Sequence, residues 1–208
     1  MGDDQKKDEE TGMPILVLKD RKFGKIIARV LPQKGVTNYT VKRLGSDLQL
    51  LGHKRMILKS DNENAIVALK QAVKNERPED IVLEESPTYD SRGNGEIERA
   101  IQLTQDQIKT VKDDAETEYG VKIRADHQCM PWLIAHSGNT IDRYHVNKDG
   151  KTSYERWKGR PFKRSVAKFG ENVFYLKAKS LGHDKNIVRW ADGIFLGVRD
   201  ESRSYHRH

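Results

Sequence analysis

Apolar positions along the chain fall into short runs whose spacing changes character from one segment to the next. MPILVLKD (13–20) and KIIARVLP (25–32) are β-branched, apolar runs separated by RKFG, in which Gly24 can take the positive φ of a tight connection, so they predict an antiparallel hairpin. From Val36 to Leu51 the apolar residues Val36, Tyr39, Val41, Leu44, Leu48 and Leu51 recur at mostly helical intervals and Gly52 ends the pattern, which predicts a helix that Gly45 weakens. RMILKS (55–60) reads as a buried strand running into Asp61, NAIVALKQAVKN (64–75) as a helix through Ile66, Leu69 and Val73, and DIVLEE (80–85) as a further strand. ESPTYDSRGNG (85–95), with Pro87, Gly93 and Gly95, predicts a mobile loop.

A helix is expected from Glu96 to Lys112, with Ile97, Ile101, Thr104, Ile108 and Val111 on one stripe and Glu98, Gln102, Gln105 and Lys109 on a neighbouring face. A less clearly bounded helix covers part of 126–146. After NKDGKTS the chain becomes basic and irregular, then gives the strand-like runs NVFYLK, NIVRW and GIFLGV, the start of a small β-barrel. The order β β α β α β α α followed by short strands belongs to an α/β sheet with flanking helices. Residues 13–19, 25–31, 55–60 and 80–84 are expected in one sheet. The chain divides into three regions: an acidic, disordered start (1–12), a core (13–157) and a basic linker with a partial β segment (158–208).

With 208 residues the chain can bury a core, and apolar clustering argues against wholesale disorder despite 33% charged residues. Its single cysteine, Cys129, supports neither a disulfide framework nor a Cys-rich zinc module from this chain alone. No apolar stretch reaches the length of a membrane span and MGDDQKKDEETG lacks a signal-peptide core, so a soluble intracellular protein with no membrane partner is expected. The net charge is +7, and residues 142–208 hold 16 Lys and Arg against 8 Asp and Glu, a local surplus of 8. A polyanionic partner accounts for that asymmetry economically; a lysine-rich surface kept for solubility is the alternative.

Two acids stand out by position: Asp61 at a strand end and Glu98 on the first turns of the helix after the glycine loop. Paired carboxylates at a sheet edge suit Mg²⁺ or Mn²⁺ and phosphodiester chemistry. Spacing alone favours the structural alternative, Asp61 as an acid at a helix N-terminus and Glu98 as a solvated helix residue. Arg92, Asn94, Gln102, Gln105 and Lys109, and the basic strip Lys158, Arg160, Lys163, Arg164 and Lys168 around Phe162, are candidates to contact nucleic acid, or else an ordinary polar face and a solvated linker. His127 and Cys129 read as local packing, and Asp20 as a turn residue.

RMILKSDNENAI followed by ESPTYDSRGNGEIERAI resembles the second and third acidic motifs of retroviral and LTR-retrotransposon integrases, in which a TDNG-like or SDxE-like acid ends a strand and an NG or QG pair leads into a glutamate-bearing helix. GKTSYERWKGRPF is similar to the family's GxTPYExxxGxxP segment, with Ser153 in place of proline, and FGENVFYLK with GIFLGV resembles the stretch downstream of that segment in retrotransposon polyproteins. The resemblance spans roughly residues 13–200. It implies an RNase H-like mixed sheet with flanking helices and an incomplete barrel-like end, with Asp61 and Glu98 as metal-holding catalytic carboxylates and Glu96 as the competing position. It also implies DNA as partner with no small-molecule substrate, homo-oligomers in intact relatives, a nuclear location, and 3′-end processing and strand transfer as the intact activity. The family's first catalytic aspartate lies on a strand that this chain does not show ahead of MPILVLKD; Asp3, Asp4 and Asp8 read as solvated loop acids, and the zinc-binding amino-terminal module has no counterpart. A chain truncated at its N-terminus, with impaired activity, is therefore expected. The rival readings are a non-catalytic nucleic-acid-binding or dimerisation module and another RNase H-like nuclease.

Overall fold

The computed structural model describes residues 13–86, 91–177 and 189–198, without the side chains of 91–93. Strands β1 (Ile15–Lys19) and β2 (Ile26–Val30) pair antiparallel, with Val17 opposite Ala28. The connection between them is closed by its own polar groups. Asp20 accepts the Phe23 N–H at 2.8 Å, Gly24 sits at φ 75°, and the Asp20 carboxylate also meets His53 Nε2 at 2.9 Å while Phe23 stacks on the His53 ring. Asp20 is thus a turn residue, as its place in the sequence implied.

Helix α1 (Asn38–Leu51) begins at Thr37, whose hydroxyl accepts the Thr40 N–H, and ends at Gly52 in the left-handed region. β3 (Arg55–Ser60), α2 (Asn64–Glu76) and β4 (Asp80–Glu85) form a β-α-β unit whose strands pair in parallel, Ile57 opposite Val82. α3 (Ser91–Tyr119), α4 (Met130–Tyr144) and the short α5 (Ser153–Lys158) come next, then β5 (Asn172–Leu176) and β6 (Trp190–Ile194), antiparallel.

Side-chain alternation explains the layering. In the β1–β2 hairpin, Leu16, Leu18 and Ile27 point to one side and pack with Val41, Leu44, Leu48 and Leu51 of α1 and Leu69 and Val73 of α2. Val17, Ile26, Ala28 and Val30 point to the other side, against α3 and α4 through Ala100, Leu133, Ile134 and Ile141. The hairpin is therefore a middle layer with apolar residues on both faces, and it reads as a nearly continuous hydrophobic run. Small residues make the α4 seam: a Cβ on Gly138 would come within 3.4 Å of the Ala28 nitrogen.

β3 and β4 are one-sided. Met56, Leu58, Ile81 and Leu83 join the α1–α2 core, while the outer face alternates the ion pairs Arg55–Asp80 (3.1 Å) and Lys59–Glu84 (3.0 Å) around exposed Ile57 and Val82. The single sheet expected from the sequence is instead two: among the described residues β1 pairs with β2 and β3 with β4, and no strand bridges the pairs. They are joined through a shared core under α1 and α2, because apolar burial is non-directional whereas a ladder needs adjacent backbones.

One other expectation changes. α3 starts at Ser91, so the Gly93–Gly95 half of the expected loop is helical; residues 87–90 lie outside the described residues. Among the described residues the C-terminal segment shows one antiparallel hairpin, β5–β6, and most of NIVRW lies outside the described residues. That hairpin's flanks return to the core: Phe169 is buried in the α4 cluster and Leu196 packs against it, Phe195 N–H bonds to the Glu171 carbonyl, and Asn139 Nδ2 donates to the Val198 carbonyl.

Candidate functional site

The β-α-β unit delivers Asp61 to the carboxyl end of β3, where its carboxylate is exposed and accepts a long 3.4 Å bond from the Glu63 N–H. It does not cap α2, whose N-cap position is Glu63. Beside it, Ser86 N–H donates to the Ser60 carbonyl at 2.8 Å, and the buried Ser86 hydroxyl donates to Asn94 Oδ1 at 2.5 Å. Asn94 and Glu98 are four residues apart on α3 and share one helix face. A continuous run of contacts therefore leads from the residue before Asp61, through Ser86, to the helix face of Glu98.

Glu98 is exposed on α3. Glu96, the competing position, pairs with Arg21 Nε at 2.7 Å and so is tied to the β1–β2 turn. α3 itself is held by Ile97, Ala100 and Leu103 against Val17 and Ile26.

Lys70 was not singled out from the sequence. It lies on the inner face of α2, buried, and donates to the Glu84 carbonyl at 2.8 Å. Burial pushes its pKa down, and Glu85, Asp61 and Glu84 pull it back up, so an ammonium sits among the acids at the strand ends. A lysine beside Leu69 in an otherwise apolar stripe was the available signal. Lys19 is likewise lowered by burial and partly restored by Asp142 and Glu96.

The nucleic-acid candidates divide. Gln102 Nε2 donates to both Asp106 oxygens at 3.0 Å, Lys109 lies 3.5 Å from the same carboxylate, and Gln105 is exposed. The Arg92 side chain lies outside the described residues. Phe162 packs edge-on to Tyr144 and Tyr154 with the Arg143 guanidinium 5.2 Å from its ring, so Arg160, Lys163 and Arg164 project to solvent from an anchored backbone. Lys158 lies over the Trp157 ring, 3.3 Å from its centroid. Lys168 is engaged within the fold: it bonds Glu118 at 2.9 Å and approaches Asp114 at 3.5 Å, which raises its pKa. His127 Nδ1 meets Cys129 Sγ at 3.0 Å, a contact within one turn.

No known protein family matches the chain, and no curated protein matches it. Solved structures do. A BIV integrase catalytic core domain is 18% identical, with 70% of this chain and 85% of that chain covered at a TM-score of 0.47. A simian T-cell lymphotropic virus intasome, solved in complex with PP2A regulatory subunit B56 gamma, is 15% identical over 88% of this chain at a TM-score of 0.51. This chain spans 62% of the length of that second relative. The fold is integrase-like. Among the described residues no helix is long and apolar enough to cross a membrane.

Proposed function

We propose that this protein is an integrase-type DNA-binding core, with Asp61 and Glu98 as the carboxylates available to a divalent cation, Mg²⁺ or Mn²⁺. The observation that carries the reading is the run of hydrogen bonds from Ser60 through Ser86 to Asn94, which ties together the two elements bearing these acids in an integrase-like fold. The donor set is short. Among the described residues no group of three His, Cys, Asp or Glu is placed to hold a metal. Two carboxylates suit one hard cation and fall short of paired ions that clamp the attacking and leaving oxygens of a phosphodiester. A bound ion would supply Lewis-acid polarisation of phosphate oxygens; the chain's own groups supply its charge and the polar α3 face. This favours DNA binding with weak joining activity. The same reading carries self-association and a nuclear location.

Duplex DNA binding tests it, with the full chain at several salt concentrations. Changing Lys158, Arg160, Lys163 and Arg164 to Gln should flatten the log Kd against log salt slope by about 3 to 4, since each phosphate contact contributes about 0.9. An unchanged slope would show that the strip is solvated in the complex as well. For the acids, Mn²⁺ titration of wild type against Glu98→Gln should show affinity falling about tenfold, ~1.4 kcal/mol, with the same result for Asp61→Asn. Equal affinities would remove these residues from the site.

A further inference from the structure

Phe174 is 73% exposed, more than any other large apolar side chain among the described residues. The register of the β5–β6 hairpin sets Asn172 opposite Ile194, Phe174 opposite Asp192 and Leu176 opposite Trp190, so strand alternation gathers these six residues on one face. Trp190 is 58% exposed, Ile194 54% and Leu176 40%, whereas Val173, Tyr175, Ala191 and Gly193 of the other face are half-buried. A contiguous apolar face of this kind marks an interaction site.

The charge of the face selects its occupant. Asp192 stands at the centre, with Phe174 directly across the ladder and Trp190 and Ile194 two residues away on the same strand. Its side chain is exposed, and among the described residues no hydrogen bond or ion pair reaches its carboxylate. Aspartate is also among the residues that strands favour least, so this one adds nothing to the hairpin itself. No cation shares the face, because the same alternation sends Lys177 and Arg189 to the opposite side. A lone negative charge within an apolar surface repels phosphate and attracts a cation.

The neighbouring rings narrow which cation. An arginine guanidinium is planar and weakly hydrated, stacks on aromatic rings and pairs with a carboxylate through two parallel N–H bonds. Phe174 and Trp190 supply the rings beside the Asp192 carboxylate. A lysine ammonium holds its water more strongly and makes only a point contact. Size narrows the partner. Five residues at about 3.3 Å each, on two strands about 4.8 Å apart, give roughly 16 Å by 10 Å. That is far below the roughly 800 Å² per partner of a stable interface between folded proteins, and it matches about five residues of extended chain.

We propose that this face docks a short extended segment of another protein, with an arginine of that segment seated on Asp192 against Phe174 and Trp190, and apolar residues flanking the arginine on Leu176 and Ile194. The arginine supplies the charge that the face lacks, and its neighbours cover the apolar ends. The surface is separate from the acids and from the basic strip, so the inference does not depend on DNA being a ligand.

Anisotropy of the peptide Gly-Val-Arg-Val-Gly, amidated and carrying a neutral dye, tests it against the full chain, alongside versions with citrulline, lysine or glutamate in place of arginine. The arginine peptide should bind about tenfold more tightly than its neutral citrulline counterpart, with the lysine peptide between them and the glutamate peptide weakest. Asp192→Asn and Trp190→Ala should each weaken the arginine peptide about tenfold. Asp192→Arg should exchange the preference, losing the arginine peptide and gaining the glutamate peptide. That gain is a readout that a merely loosened hairpin would not give, and a thermal melt checks that each variant stays folded. Failure of the arginine peptide to bind, equal binding of the arginine and citrulline peptides, or an affinity indifferent to Asp192→Asn would each overturn the proposal. An oligothymidine whose binding Phe174→Ala and Trp190→Ala weaken would overturn it in favour of nucleic acid. Sedimentation showing a wild-type dimer that Asp192→Asn breaks would overturn it in favour of a second copy of the chain.

Discussion

Asp142→Ala is expected to lower the stability of the fold by about 3–5 kcal/mol, the cost of breaking a buried ion pair by removing one partner. The Asp142 carboxylate is 1% exposed and accepts two bonds from the start of β2: from Lys25 Nζ at 2.6 Å and from the Ile26 N–H at 2.8 Å. The Lys25 side chain is itself 3% exposed, and its ammonium lies 4.6 Å from the centroid of the Trp157 ring. Alanine would leave that charge and a backbone donor without the carboxylate, in a layer with no room for bulk water. Because domains of this kind are stable by about 5–15 kcal/mol in total, the variant should be near its unfolding threshold at 37 °C. Urea melts measure this directly. Pairing Asp142→Leu with Lys25→Met should recover much of the loss, since well-packed apolar replacements of buried pairs are often neutral. A loss under about 1 kcal/mol for the single change would mean that solvent reaches the pair.

Acidification should destabilise the protein between pH 6.5 and 4 through His136. This histidine lies on α4 between the rings of Phe169 and Phe195, at 5.7 and 6.0 Å, and burial, with a smaller effect from Arg143, lowers its pKa from 6.5 to about 4. The unfolded chain binds the proton more readily than the folded one across that window. Stability is therefore full above the unfolded value, declines as pH falls below it, and stops changing below the folded value. A shift from 6.5 to about 4 corresponds to about 3 kcal/mol at 1.36 kcal/mol per unit. Phe169 and Phe195 belong to the segment that folds back on α4, so its release should lead the transition, seen as hydrogen exchange rising around residues 168–171 and 195–198. His136→Phe keeps the aromatic contact without the titration and should flatten the stability curve from pH 7 to 4.5. Superimposable acid curves for wild type and His136→Phe would remove His136 as the cause.

Some acidic effects share that direction without sharing the mechanism. Hydrogen bonds to Glu116 from the Ile123 N–H and Lys122, and to Asp149 chiefly from Arg156, hold these carboxylates below their usual range, so they lose stabilisation as pH falls through those lowered values. Asp149 lies at the surface, where such pairs contribute little, and the Glu116 carboxylate is partly buried. Their losses begin only below the ordinary values of 4.5 for Glu116 and 3.8 for Asp149, so the His136→Phe comparison from pH 7 to 4.5 separates the two.

The sequence by itself determined the order and type of most elements, because each is marked by a local period. The alternating runs became β1 to β4, the helical stripes became α1 and α2, and Gly52 and Gly24 took the positive φ angles their positions implied. α4 fell inside its expected range, and Asp61 was legible as a strand-end acid. Local signals failed where glycines sat in a helix start, since Gly93 and Gly95 read as a loop and are helical in α3, and where the short α5 was hidden in a basic stretch. Only the tertiary structure decided which strands hydrogen-bond. Two separate pairs share one core, because periodicity tells which face is apolar but not which backbone lies alongside. The burial of Lys25 against Asp142, 117 residues away, the seating of Lys70 beside the acids, and the desolvation of His136 are likewise long-range facts. Each depends on what a distant element excludes from water, and a chain read one window at a time carries no trace of that exclusion.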